Sequence, residues 1–304
     1  MESGKREDHL RKGSDVSPYE SLLAGSISGG MSRAITAPLD TIKIRLQLQR
    51  KTFKNRQPVQ SVVSELLKKE GVIGLWKGNV PAEILYVLYG ATQFTSYSFL
   101  SQALSTFEEG QNWSLSSSGH TLLAGTGAGI CSTLTTYPFD LLRTRLAANS
   151  NKKLLSMTQT IKDIYKADGL LGFFAGIKPA MLSIASTTGI MFSSYELARE
   201  FTRDRDIPFK EGLCGFIAGA TSKGITFPLD TLRKRTQMYQ TLYGGRSTSA
   251  YKLFFNIVSA EGVFGLYKGF GVSVLKTAPT SAISLYVYEY SITAIKKLNT
   301  EVLA

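Results

Sequence analysis

One motif, written three times, constrains this chain more than any other feature. The copies are Pro38-Leu39-Asp40-Thr41-Ile42-Lys43-Ile44-Arg45-Leu46-Gln47, Pro138-Phe139-Asp140-Leu141-Leu142-Arg143-Thr144-Arg145, and Pro228-Leu229-Asp230-Thr231-Leu232-Arg233-Lys234-Arg235, the last followed by Thr236 and Gln237. The frame is a proline, an acid two residues on, a base three later and a second base two after that. Pro138 follows Pro38 by 100 residues and Pro228 follows Pro138 by 90. That spacing is too long for a solenoid and suits a helix pair repeated three times. Each copy ends a segment too apolar and too rich in small residues to be a surface loop.

The approach to each proline keeps register as well. Gly25 and Gly29, Gly125 and Gly129, and Gly215 and Gly219 stand thirteen and nine residues before their prolines. Small residues four apart let helix backbones approach closely in lipid. The repetition predicts three equivalent helices with those glycines at the contact. A basic stretch, Arg50–Arg56, leads to Val59–Lys69, where Val62, Val63, Leu66 and Leu67 share one helical face.

A second motif follows: Glu70-Gly71-(x4)-Trp76-Lys77-Gly78, Asp168-Gly169-(x4)-Phe174-Ala175-Gly176 and Glu261-Gly262-(x4)-Tyr267-Lys268-Gly269. An aromatic and a base before a helix start suit a membrane interface, where free N–H groups can hold a lipid phosphate. Ala175 removes the cation from the second copy. Further long segments begin there: Asn79–Phe107, Ile177–Arg203 and Phe270–Lys297, joined by the short polar connections Glu108–Ser118 and Asp204–Glu211.

The unit is therefore helix, surface helix, helix. The expected fold class is an all-α membrane protein with six transmembrane helices in three pseudo-threefold repeats, each carrying a short surface helix. The predicted divisions are a disordered tail at 1–17, repeats at 18–107, 108–203 and 204–298, and a tail at 299–304. Both termini fall on one side. The basic loops Arg50–Arg56 and Lys152–Lys153 lie on the other, which the positive-inside trend makes matrix-like or cytoplasmic. Residues 1–17 lack an apolar stretch and carry acids, fitting neither a secretory signal nor a transit peptide; any organelle address is internal.

Composition narrows the function. The net charge of +12 over 304 residues points to an acidic partner. Cys131 and Cys214 have no metal-ligand spacing and read as small residues packed in helices. His9 and His120 are too few for a histidine pair. No nucleophile–base pair, metal cluster or phosphate-binding glycine loop is present, so neither an enzyme nor a cofactor is expected. No window is a clean apolar twenty-residue span. A soluble helical repeat protein competes with helices that turn polar faces to a wet cavity, but it must explain a proline inside each of three apolar helices. Polar residues at membrane depth are tolerated where they face a cavity.

Proline inside a helix removes a hydrogen bond and kinks it. Three such helices about a threefold axis converge at their ends. Asp40, Asp140 and Asp230 can then pair with Lys43, Arg143 and Arg233 of neighbouring copies in a ring. Such a ring costs desolvation and acts as a breakable plug rather than as a source of stability.

These two motifs, in three copies across Tyr19–Lys297, resemble those of the mitochondrial carriers. The resemblance implies six transmembrane helices around a central site that opens alternately to the two sides of the inner membrane. It places the plug at the matrix side, with Gln47 and Gln237 as braces and Ala147 in the brace position of the second copy. It puts both termini in the intermembrane space. The family's second gate, aromatic-acid-x-x-base, is complete only in Tyr195-Glu196-Leu197-Ala198-Arg199. Tyr288-Glu289 has Ile292 where a base belongs, and Tyr97 is followed by Ser98 and Ser101. One bridge, Arg199 to Glu289, is expected, so the matrix gate is the stronger and the resting state opens to the intermembrane space.

The family's contact points fall on Leu85, on Ser183 with Ile184, and on Lys276. One turn on lie Tyr89, Thr187 and Thr280, then Gln93, Met191 and Ser284. Arg33, Thr133 and Lys223 stand five residues before the prolines. Arg33, Lys223 and Lys276 could together neutralise a pyrophosphate. Glu83 either meets a cationic ring, with Tyr86 or Tyr89 stacked on that ring, or pairs with a pore base; the residues leave both open.

An anion with a cationic aromatic head suggests thiamine pyrophosphate. The stretches Thr36–Gln47, Tyr137–Leu146, Leu85-Tyr86-Val87-Leu88-Tyr89-Gly90 and Lys276-Thr277-Ala278-Pro279-Thr280 are similar to those of fungal carriers of that compound. Nucleotides are expected counter-substrates. A nucleotide or coenzyme A as the main cargo is the alternative, and a basic soluble module is the reading from another class. Expected partners are anionic lipid (cardiolipin) at Trp76-Lys77-Gly78 and Tyr267-Lys268-Gly269, with no nucleic acid and a monomeric state.

Overall fold

A computed structural model describes residues 18–50, 57–111, 116–149, 156–203, 210–239 and 249–303. The predicted tail at 1–17 and the loops at 51–56 and 152–153 lie outside the described residues. Among those described there is no strand. Among the described residues six long and three short helices follow the order long, short, long three times: α1 (Pro18–Gln47), α2 (Val59–Glu70), α3 (Asn79–Gln111), α4 (Ser117–Ala148), α5 (Met157–Asp168), α6 (Ile177–Phe201), α7 (Lys210–Gln237), α8 (Ala250–Glu261) and α9 (Phe270–Leu303). Each short helix runs into a single 3-10 turn, at Val72–Trp76, Leu170–Phe174 and Val263–Tyr267. The helix α9 continues past residue 299, where a tail was expected, because no proline or glycine interrupts it there.

The long helices hold 25 to 34 residues, enough to cross a hydrocarbon layer of about 30 Å at a rise of about 1.5 Å per residue. Contrary to the sequence reading, one stretch, Leu170–Phe201, is by itself long and apolar enough for a span. The other long helices turn large apolar side chains outward and bury small hydroxyl residues. Phe94, Phe99, Phe216 and Leu285 are largely exposed, while Ser32, Thr36, Ser132, Thr136, Ser222 and Thr226 are buried. Many of the hydroxyls donate to the carbonyl four residues back, as Thr36 does to Ser32 and Thr136 to Ser132, at 2.8 Å each.

The chain divides into two compact units, residues 1–39 with 272–304 and residues 40–271. In the first, α1 meets α9: Ser28 Oγ donates to the Ser284 carbonyl at 2.5 Å. In the second, α3 packs along α4 and α6 along α7, and the Ser222 hydroxyl donates to the Thr187 carbonyl at 2.9 Å.

The close-packed stripe is not the glycine one. A Cβ built on Gly25, Gly29, Gly125, Gly215 or Gly219 would meet nothing within 4 Å. Only at Gly129 is a neighbour tight, with Ile184 Cγ2 at 3.2 Å. The buried stripe lies one residue earlier and recurs in α1, α4 and α7: Ala24, Ser28, Ser32 and Thr36; Ala124, Ala128, Ser132 and Thr136; Cys214, Ala218, Ser222 and Thr226. Positions four apart share a face, so Ala, Ser, Thr and Cys make the seam and the glycines flank it. Cys214 is thus packed as expected, whereas Cys131 is exposed.

The short helices dock by two positions each, Val62 and Leu66, Thr160 and Ile164, Leu253 and Ile257. Leu67, expected on the buried face of α2, is exposed. Ile164 joins Leu141 and Leu142 of α4, and Leu253 and Ile257 join Leu232 of α7. These contacts fix α5 and α8 against α4 and α7, which carry the proline motif.

Candidate functional site

Pro38, Pro138 and Pro228 each lie inside a continuous helix, α1, α4 and α7. The acid two residues on therefore stays on the helix, one turn or so below the buried stripe. Arg143 Nη2 stands 2.6 Å from Asp40 Oδ2, and Arg233 Nη2 stands 3.0 Å from Asp140 Oδ2. Two of the three expected cross-helix pairs are thus in place.

Asp140 has further partners besides Arg233. Lys234 Nζ donates to its two oxygens at 2.8 and 2.9 Å, and Gln237 Nε2 donates to Oδ2 at 2.5 Å. The Gln237 side-chain oxygen, Oε1, in turn accepts from Thr144 Oγ1 at 2.7 Å. Lys234 had no assigned role in the sequence reading. Gln47, the other expected brace, instead donates to Thr231 Oγ1 at 3.4 Å. Two tyrosines support the arginines: the Arg233 guanidinium lies 5.1 Å from the Tyr137 ring centre, and that of Arg143 lies 5.9 Å from Tyr86. Tyr86, expected to stack on cargo, also accepts from Arg143 Nη1 at 3.4 Å.

The third pair differs from expectation. Asp230 Oδ2 is 2.6 Å from Lys223 Nζ, on its own helix, and Oδ1 accepts from Ser183 Oγ at 3.2 Å. Lys43 makes no ion pair with Asp230; its Nζ lies 5.5 Å from the centre of the Phe227 ring. Lys223 and Asp230 stand on one face two turns apart, with Pro228 between them. A flexible lysine that is already on the same helix needs no helix–helix approach to reach its acid.

Of the other expected cargo residues in this unit, Leu85 is buried, Glu83, Tyr89, Ile184 and Thr187 are half-buried, and Gln93 is exposed. Thr187 turns its hydroxyl to the Ser183 carbonyl at 2.6 Å. In the smaller unit, Arg33 and Lys276 are half-buried, and Thr280 donates to the Lys276 carbonyl at 2.8 Å. For the expected second gate, Tyr195 is half-buried while Glu196 and Arg199 are exposed; Tyr288 is half-buried and Glu289 exposed.

A second layer lies below the ring, built from residues not singled out as a set. Arg45 grips Glu70 with both terminal nitrogens, at 2.5 and 2.8 Å, and Arg235 grips Glu261 at the same two distances. Lys77 and Lys268 stand 2.5 Å from Glu70 and Glu261. The same cations reach across to the neighbouring repeat. Arg45 Nε donates to the Ala147 carbonyl and Lys77 to that of Asn149, both at 3.0 Å; Arg235 Nε donates to Gln47 and Lys268 to Gln49, both at 2.9 Å. These carbonyls end α4 and α1, where helix carbonyls lack helical partners and favour positive charge.

This corrects one expectation. Lys77 and Lys268 are turned inward, 7% and 2% exposed, and do not offer their ammonium groups to a lipid surface. In the second repeat Ala175 takes the place of the lysine and the shorter Asp168 is exposed. The signal was available in the sequence, since glutamate occurs with lysine and aspartate with alanine.

The glycine that closes the second motif fits against the ring itself. A Cβ on Gly78 would stand 2.6 Å from the Arg143 carbonyl oxygen, one on Gly176 3.1 Å from that of Arg233, and one on Gly269 3.2 Å from that of Lys43. All three have φ near +80°, a backbone that L side chains adopt only with strain. Each ring base is thereby seated on the glycine of the preceding repeat.

The comparisons agree with this threefold geometry. The family described as "Mitochondrial carrier protein" matches residues 14–108, 114–206 and 204–299. A chain of Scheffersomyces stipitis named "Mitochondrial thiamine pyrophosphate carrier 1" is 69% identical over 304 residues, all of both chains. Chains of that name from Candida albicans and Saccharomyces cerevisiae are 65% and 39% identical, covering 97% and 95% of this chain and 98% of their own length. Matched in each of its repeats and along its whole length, the chain belongs to the mitochondrial carrier family.

Proposed function

We propose that this chain moves thiamine pyrophosphate across the mitochondrial inner membrane into the matrix by alternating access, in exchange for phosphorylated counter-substrates such as nucleotides. What carries the choice of cargo is the 69% identity, over all 304 residues, to a relative named for that compound. The Asp40–Arg143 and Asp140–Arg233 pairs support the gating half of the reading. They join consecutive repeats through short charge-assisted contacts that a relative movement of the helices would break. In this reading they close the matrix side, and both termini face the intermembrane space. In this reading Arg33, Lys223 and Lys276 are each assigned to the phosphates of the cargo, and Glu83 either to its cationic ring or to a pore base.

The protein acts as a monomer in this reading. Cardiolipin at Trp76-Lys77-Gly78 and Tyr267-Lys268-Gly269 would be held by N–H groups at the starts of α3 and α9, since the two lysines are engaged within the protein.

The test is uptake of labelled thiamine pyrophosphate by liposomes containing the purified chain and loaded with unlabelled thiamine pyrophosphate, nucleotides or coenzyme A. Saturable uptake that Arg33→Ala or Lys276→Ala abolishes, in chains that still fold, is the expected result. Uptake of nucleotide or coenzyme A without thiamine pyrophosphate would assign the other phosphorylated cargo. Near-normal uptake by both variants would remove the cation set.

A further inference from the structure

The second motif leaves four positions open between its first glycine and its aromatic, and they share one pattern. They read Val72-Ile73-Gly74-Leu75, Leu170-Leu171-Gly172-Phe173 and Val263-Phe264-Gly265-Leu266. Each run is two apolar residues, a glycine and a third apolar residue, and each folds into the 3-10 turn that leads from a short helix to the next long one. The residue before the turn is a glycine at φ +74°, +64° or +77°. The inner glycine donates its N–H back to the carbonyl of that residue, at 3.2, 3.3 and 3.0 Å. The inner glycine is buried in all three turns. A Cβ on it would stand 2.8, 2.6 or 2.7 Å from the Cβ of Glu70, Asp168 or Glu261, the acid that opens the motif.

Side chains three apart eclipse in a 3-10 turn, so Gly74 and Lys77 occupy one inward face, as do Gly265 and Lys268. The two residues before the inner glycine therefore point outward. Val72, Ile73, Leu170, Leu171, Val263 and Phe264 are between 58% and 84% exposed. A single exposed apolar side chain needs no explanation, but an adjacent pair at the same place in three repeats does. The surface that the pairs extend is that of the spanning helices, where Val80 and Val87 of α3 and Leu182 of α6 are exposed as well. Trp76 and Phe174, which end the first two turns, are exposed aromatics of the kind that sit at headgroup level. Lys68 and Lys166 stand exposed in the last turns of α2 and α5, where anionic headgroups would meet them.

We propose that the three turns are wedges that seat the chain in the bilayer. Each apolar pair enters the leaflet on the side where α3, α6 and α9 begin, to the level of the upper acyl chains. The second motif then faces two ways: Lys77 and Lys268 are clamped inside the protein, and the apolar pair is presented to lipid outside it. The turn is fixed by its glycines before it meets the bilayer, so insertion orders little that is not already ordered. The inference needs a membrane-spanning chain and does not depend on which cargo it carries.

The experiment is fluorescence quenching in the full-length chain reconstituted into liposomes. Trp76→Phe and Trp113→Phe remove the two native tryptophans, and Ile73→Trp, Leu171→Trp and Phe264→Trp are introduced one at a time. Each should lose about half or more of its fluorescence in lipid brominated near the headgroup end of its acyl chains, the depth of about 5–10 Å at which interfacial apolar faces sit. Iodide on both sides of the bilayer should leave the fluorescence nearly unchanged. Trp113→Phe alone, which keeps Trp76, gives the same reading from an unaltered first turn should a variant not fold. Quenching by iodide without a response to brominated lipid would place the pair in water. Shielding from both quenchers would place it beneath a second copy of the chain. Either result overturns the proposal, as does a lipid response confined to fewer than three turns.

Discussion

Asp140 and Gln237 are joined across two helices by a hydrogen bond of 2.5 Å from the amide to the carboxylate. The amide orients an acid that already faces Arg233 and Lys234, so Asp140 is held more tightly than Asp230, whose partner lysine is substantially exposed. Its hold predicts unequal costs for neutralising the acids.

Asp140→Asn should lower stability by about 3 kcal/mol or more, because it leaves Arg233 and Lys234 buried without their counter-charge. Asp230→Asn should cost about 1 kcal/mol or less, its partner Lys223 being substantially exposed. Thermal unfolding in detergent would measure both. Equal losses would contradict the ranking.

The glycines predict opposite outcomes for one substitution. Gly78→Ala places a methyl 2.6 Å from the Arg143 carbonyl oxygen at φ +80° and should cost about 2 kcal/mol or more. Gly25→Ala meets nothing within 4 Å inside a helix and should be neutral or stabilising by about 0.5–1 kcal/mol. A loss of stability in Gly25→Ala would return the glycine step to the helix contact.

The seam offset by one residue can be probed directly. Ala218 is fully buried, so Ala218→Leu should cost about 1–3 kcal/mol through overpacking of α6 on α7. Gly219→Ala, one residue on, has open space and should be tolerated. Melting temperatures of the pair, measured side by side, decide which residue faces the neighbour.

The clamps of the first and third repeats predict an acid-side effect. Burial alone would raise the Glu70 carboxyl, but hydrogen bonds from Arg45 and Lys77 outweigh it and hold the group below its ordinary value. A carboxyl with a lowered folded value contributes stability that is present above the unfolded value, about 4.3, and lost as pH falls through the folded one. The loss of melting temperature between pH 5 and pH 3 should therefore shrink in Glu70→Gln, at the cost of a lower starting stability. Asp168→Asn, at the exposed position of the second repeat, should change stability by about 0.5 kcal/mol or less. An unchanged pH profile in Glu70→Gln would remove the clamp from the account.

The helices, their repetition and the residues of the ring were legible in the sequence because each depends on local chemistry. Proline, acid and base recur in register, and apolar periodicity marks the segments without reference to any neighbour. The second-motif glycines could be found the same way, since three identical positions require one backbone. Their purpose could not, because the Arg143 carbonyl that excludes a side chain at Gly78 belongs to another repeat.

The sequence by itself determined an all-α chain of three equivalent units and placed Asp40, Asp140 and Asp230 at corresponding helix positions. Only the tertiary structure decided that Lys223 rather than Lys43 holds Asp230, that Lys77 and Lys268 point inward, and that Ala, Ser, Thr and Cys rather than glycine form the seam. The physical reason is that ion pairing and close packing are settled by competition over distances of a few ångströms between segments far apart in the chain. Helix period and residue type fix which groups are present, and the packed neighbours fix which of them meet.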